Sequence, residues 1–153
     1  LISIGVCALI PLLFYQNKKT VYDVLTNVLV TGISVAMLAG VSEQWMLPLS
    51  YLAFGIMWLM SCPGKRVPLT AHYSMNHYGG EKALRNALFI KTNRILTMLW
   101  GILYLVTSVI TWYLTRTSVS SLTGLINSVL PIFMGIFTAW FQKWYPAKVA
   151  GGR

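Results

Sequence analysis

The sequence predicts an all-α polytopic membrane protein with five transmembrane helices, and three observations predict it. Hydrophobic residues make up 56% of the 153 residues and charged residues only 10%, against about 45–50% and about 25% in a soluble domain, and the mean hydropathy is +0.65. Apolar stretches recur at close to spanning length, and about 20 residues on a helix cross the roughly 30 Å hydrocarbon core. The basic residues collect on one side of those stretches, the pattern that Lys and Arg follow in cytoplasmic loops. The net charge of +9 sets twelve Lys and Arg against Asp23, Glu43 and Glu81. In a polar chain it would point to nucleic acid; in one this apolar it belongs to a membrane surface, and no nucleic-acid partner is expected.

Residues 1–15 form the first expected span, which is short and begins without a methionine, so the expressed chain is expected to start earlier or to have lost its first residue. No basic residue precedes it, and Gln16, Asn17, Lys18 and Lys19 follow, the reverse of a cleavable signal peptide. It reads as a retained helix. The remaining spans run over about 24–41, 45–62, 95–114 and 122–141, leaving a connection at 63–94 within a single integral membrane domain, 1–153. Helices are required because hydrocarbon offers the backbone no partner. Threaded this way, eleven of the twelve basic residues share one side, and the other holds only Arg116, with Glu43. The N-terminus is therefore expected outside and the C-terminus in the cytoplasm. Trp45, Trp58, Trp112, Tyr113, Trp140, Trp144 and Tyr145 fall near span ends, as an aromatic belt does.

Gly32, Ala36 and Gly40, spaced four apart, form a small-residue seam that predicts close packing, either inside the bundle or across a homodimer. Pro131 removes a backbone donor from the last span and frees the carbonyl near Asn127; Pro11 and Pro48 act alike. No Asp, Glu, Lys, Arg or His lies at the centre of a span, which argues against a proton pump, a voltage sensor or a haem held between helices. Asp23 sits at a span edge, where it can cap the helix and meet Arg94. Cys7 and Cys62 fall on opposite sides. His72 and His77 are five apart with only Glu81 nearby, a poor set of metal ligands. Nucleotide-binding, serine-hydrolase, zinc-protease and dithiol motifs are missing. No catalytic residue, metal or cofactor is expected.

The connection at 63–94 is 32 residues long, and loops of that length carry function or structure of their own. After Gly79 and Gly80, residues 81–91 place Leu84 and Leu88 on one side and Lys82, Arg85 and Lys91 toward water. This predicts a short interfacial helix between the third and fourth spans. With Arg94 it would contact anionic lipid, at about 1 kcal/mol per basic residue near the surface.

The stretches PLTAHYS, from Pro68, and NALFIKTNRILTMLWGILYLVTSVITWYL, from Asn86, resemble the intracellular septation protein A family, small five-span proteins of the bacterial inner membrane. Leu69 and Thr70 in the connection carry the resemblance, with Phe89 and Asn93, then Leu96, Trp100 and Gly101, and the tail Lys143, Trp144, Tyr145 and Pro146. It covers roughly residues 45–146; the first two spans match only as hydrophobic segments, with PLLFY at 11–15. The resemblance implies a role in envelope integrity and cell division, exercised through anionic lipids and membrane protein partners or a homodimer, with no established chemistry. The alternative is a small transporter or channel, its path lined by Thr107, Ser108, Thr111, Asn127 and Ser128. A second is a membrane subunit of an enzyme or redox complex, with His72, Tyr73, His77, Tyr78 and the surrounding lysines and arginines as a cytoplasmic headgroup or phosphate site.

Overall fold

The computed structural model describes residues 21–152, and among them every regular element is helical. Five α-helices follow one another: α1 Val21–Leu38, α2 Glu43–Met60, α3 Leu69–Ser74, α4 Ala87–Leu114 and α5 Leu122–Gly151. Two 3-10 turns, Met75–Tyr78 and Gly80–Arg85, lie between α3 and α4. The first expected span, with Cys7 and Pro11, lies outside the described residues. Helices α1, α4 and α5 are long and apolar enough to cross a membrane. Helix α2 has 18 residues but opens on Glu43 and Gln44 and includes Pro48, which lowers its apolar content.

Helix ends follow local chemistry. Helix α1 stops at Leu38 because Gly40 takes a left-handed φ of 88°; Gly40 N then donates to Met37 O and Val41 N to Ala36 O, both at 3.1 Å, satisfying carbonyls of the last turn. Ser42 caps α2 by accepting from Gln44 N at 3.3 Å, with Glu43 in the first turn, where the helix dipole favours an anion. Asn86 caps α4 by accepting from Leu88 N at 2.9 Å and Phe89 N at 3.2 Å.

That cap corrects the expected interfacial helix at 81–91. Asn86 is extended, with φ −83° and ψ 114°, so the chain breaks there instead of continuing. Lys82 and Arg85 belong to a 3-10 turn, while Lys91 and Arg94 ride on α4, which begins eight residues before the apolar run at 95. An asparagine that bonds two amides ahead of it starts a helix more cheaply than it continues one.

The helices pack antiparallel around α4. A Cβ built on Gly55 of α2 would lie 2.7 Å from Leu105 Cδ2 and 3.1 Å from Gly101 O; one built on Gly101 would lie 2.6 Å from Leu59 Cγ. These two glycines let the α2 and α4 backbones approach. Ser108 Oγ donates to Pro48 O at 2.7 Å along the same interface. Pro48 has no N–H for the Gln44 carbonyl, and Arg116 Nη1 donates to that carbonyl at 3.4 Å. Helix α5 joins α4 through Trp100 Nε1 to Thr138 Oγ1 and Thr111 Oγ1 to Asn127 Oδ1, both 2.9 Å. Helix α1 meets α2 where Thr26 Oγ1 lies 3.8 Å from Met57 Sδ.

Gly32 and Gly40 of the expected seam meet no other element among the described residues; the first expected span and a second copy of the chain lie outside them. Gly40 lies beyond the end of α1, and no described atom comes within 4 Å of a Cβ built on Gly32 or Gly40. Ala36 is half-buried. Small-residue spacing shows where a close approach is permitted; it does not say which neighbour arrives.

The interior is polar and the exterior apolar. Ser61, Thr70, Thr92, Asn93, Thr97, Thr107, Ser108, Thr111 and Thr123 are buried, while Leu25, Ile56, Val106, Ile132, Phe133 and Ile136 are exposed. Such an arrangement suits hydrocarbon as solvent, where helices gain little by burying leucine. Gly101→Ala is expected to destabilise the bundle by about 1–3 kcal/mol through overpacking. The exposed Gly135→Ala is expected to be neutral or slightly stabilising. Thermal unfolding in mild detergent measures both.

Candidate functional site

Pro68 begins α3: its fixed φ suits a helix start, and its carbonyl accepts from Ala71 N at 2.9 Å and His72 N at 3.2 Å. Leu69, Thr70 and Ala71 are then driven against α4, exposed by only 1%, 5% and 0%. Thr70 N donates to Thr97 Oγ1 at 3.2 Å. The Thr70 and Thr97 hydroxyls lie 2.8 Å apart and reach the Asn93 carbonyl at 2.6 and 2.8 Å.

Asn93 is the hub. Its Nδ2 donates to Phe89 O at 2.9 Å, and its Oδ1 accepts from Gln142 Nε2 at 3.0 Å and lies 3.2 Å from Ser74 Oγ. Ser74 Oγ also reaches Thr70 O at 2.7 Å. One amide thus ties α3, α4 and α5 together. The end of α2 joins through Ser61, which accepts from Leu69 N at 3.3 Å and donates to Trp58 O at 2.7 Å. Buried networks of this kind hold firmly only when every member is satisfied.

Beside the hub, Arg94 Nη2 donates to Gly64 O at 2.9 Å and Arg66 Nη1 to Met60 O at 2.8 Å, clamping the turn that follows α2. Aromatic rings fill the space below: Trp58 lies 5.5 Å from Trp100, 5.8 Å from Tyr104 and 6.4 Å from Tyr73.

A cavity of about 740 Å³ lies between α1 and α2. Its wall is apolar, with Leu25, Leu29, Ala53, Ile56, Met57 and Met60, and Arg66, Val67 and His72 stand at its mouth. The His72 ring lies 6.3 Å from that of Tyr22. Burial lowers the His72 pKa below the usual imidazole value, and the charge of Asp23 partly opposes it. Tyr73 is pushed up, first by burial and then by Asp23.

Of the residues expected to meet anionic lipid, Lys82, Arg85 and Lys91 are exposed. Arg94 is set apart, its head engaged with Gly64 and its Nε buried with no partner among the described residues. Of the residues expected to line a polar path, Thr111 and Asn127 are brought together by a 2.9 Å hydrogen bond. Thr107, Ser108 and Thr111 are buried at 2%, 8% and 0% exposure and act as interhelical or intrahelical bonds. Thr107 Oγ1 donates to Leu103 O at 2.8 Å, and the exposed Ser128 bonds Gly124 O at 2.8 Å. His72 faces Tyr22, while His77 and Tyr78 lie exposed on the turn Met75–Tyr78. Among the described residues no group of three His, Cys, Asp or Glu is placed to hold a metal ion.

Sequence reasoning missed Ser61, Ser74, Thr97, Gln142 and Arg66. A signal existed for one face: Asn93, Thr97, Gly101, Ser108 and Thr111 recur at helical spacing along an otherwise apolar segment. The chain matches no protein-family model, no curated protein and no solved structure.

Asn93→Leu leaves Gln142 Nε2 without its acceptor, and is expected to cost about 1–3 kcal/mol and to speed tryptic cleavage at Lys82 and Arg85. A second expectation concerns pH. Burial lowers the docked His72 pKa, so the undocked state binds more protons; its contribution is complete above the undocked value of about 6.5 and is lost as pH falls from there through the lower docked value. Limited proteolysis of the connection between pH 8 and 5.5 should show faster cleavage in acid, and His72→Gln should flatten that dependence.

Proposed function

We propose that this protein is a non-enzymatic, multi-pass component of a bacterial inner membrane. It serves envelope or membrane homeostasis by holding anionic lipids and membrane protein partners, the role implied by its resemblance to the intracellular septation protein A family. The proposed topology has five spans, the N-terminus outside, and the connection at 63–94 and the C-terminus in the cytoplasm.

One observation carries the proposal: charge is segregated along the bundle. The antiparallel register puts Lys65, Arg66, Lys82, Arg85, Lys91, Arg94, Lys143 and Lys148 at the end where α3 docks, with Asp23 and Glu81 as the acids there. At the other end is Arg116, 4.6 Å from the Trp45 ring and 4.4 Å from the Trp112 ring. Its Nη1 also donates to Trp112 O at 2.8 Å. Arg116 is thus engaged within the protein, whereas Lys82, Arg85 and Lys91 are directed to solvent. A surface with this charge attracts anionic headgroups, and the attraction weakens with salt.

Replacing Lys82, Arg85 and Lys91 together with Gln is expected to reduce retention of phosphatidylglycerol or cardiolipin in native mass spectrometry by about a hundredfold. The remaining binding should depend less on salt. Retention equal to that of the unaltered protein contradicts the proposal.

A further inference from the structure

We propose that the cavity between α1 and α2 is a site for one acyl chain of an anionic phospholipid, whose phosphodiester is held at the mouth by Arg66. The inference rests on the membrane reading above, but on a different set of residues from the exposed lysines.

The wall and the mouth differ in chemistry, as the two parts of such a lipid do. Leu25, Leu29, Ala53, Ile56, Met57 and Met60 offer only hydrocarbon and thioether, and methionine adapts to chains of differing shape. A volume of about 740 Å³ lies within the roughly 300–1,000 Å³ of small-molecule sites. Arg66 stands at the end of the bundle where the other basic residues collect, the level at which a headgroup phosphate rests. Its bond to Met60 O fixes one arm of the guanidinium, and the remaining donors suit a phosphate. Lys65 adjoins it, and both are exposed.

The charges at the mouth also select the headgroup. Arg66 and Lys65 repel the ammonium of a zwitterionic lipid and accept a glycerol headgroup. The occupant is therefore a phosphatidylglycerol-type lipid.

The test uses the full chain in phosphatidylcholine vesicles containing phosphatidylglycerol with a photoreactive diazirine on one acyl chain, and maps the adducts by mass spectrometry. Adducts are expected in the segments 21–29 and 53–60, at least fivefold above those from a phosphatidylcholine probe. Arg66→Gln and the cavity-filling Ala53→Phe should each lower them at least fivefold. Arg66→Lys, which keeps the charge, should retain most of the labelling and guards against a misfolded Arg66→Gln. Equal labelling by both probes overturns the proposal, as does labelling unmoved by Arg66→Gln and Ala53→Phe. So does an unlabelled groove shielded by residues 1–20 of the chain itself. If only the Lys82, Arg85 and Lys91 replacement lowers lipid retention, the groove fails and the surface reading stands. If none of the variants does, both fail.

Discussion

A helix surrounded by hydrocarbon gains almost nothing by burying leucine against leucine, so its neighbours must be held by close backbone approach and by hydrogen bonds. Helix α4 concentrates both on one face. Gly101 admits Leu59, Ser108 reaches the Pro48 carbonyl, Thr111 reaches Asn127, and Asn93 and Thr97 receive α3. Each bond is worth only about 0.6–2 kcal/mol, yet together they specify which helix lies where. The apolar residues that dominate the composition face outward and specify little.

The end of that face has a consequence for the membrane surface. Asn93 lies inside α4 because the Asn86 cap starts the helix ahead of the apolar run, and the first two turns become a post on which α3 docks. A connection that sequence reads as a basic loop is thereby fixed between Ser61, Asn93 and Gln142. Lys91, carried on α4 beside that network, is then presented from a fixed helix, which lowers the entropic cost of meeting a headgroup. Structure and the proposed lipid contact share one network.

Much of this was legible in the residues, and the rest for physical reasons was not. Hydropathy located α1, α4 and α5 because it measures preference for solvent. Helix α5 runs past its apolar run to Gly151, because Gln142 and Lys143 end that run without ending the helix. The Asn86 cap was readable, since asparagine favours that position, but the pattern of Leu84 and Leu88 across it looked continuous. The close approach at Gly55 and Gly101 was not legible, because Gly55 has Tyr51 and Leu59 four residues to either side and so no small-residue repeat. Thr111 with Asn127 and Ser108 with Pro48 were singled out one by one as polar features; their pairing depends on helix register, which no local pattern encodes. Leu69, Thr70, Asn93, Leu96 and Gly101 are all buried, as packing at this hub requires.

The docking of α3 on α4 is tested most directly by hydrogen–deuterium exchange of the unaltered protein in bilayers containing phosphatidylglycerol. The Leu69 and Thr70 amides, bonded to Ser61 and Thr97, are expected to exchange as slowly as those of residues 93–97, and far more slowly than those of the turn Gly80–Arg85. Exchange of residues 69–74 at the rate of that turn would show that the connection is free, and would contradict the account.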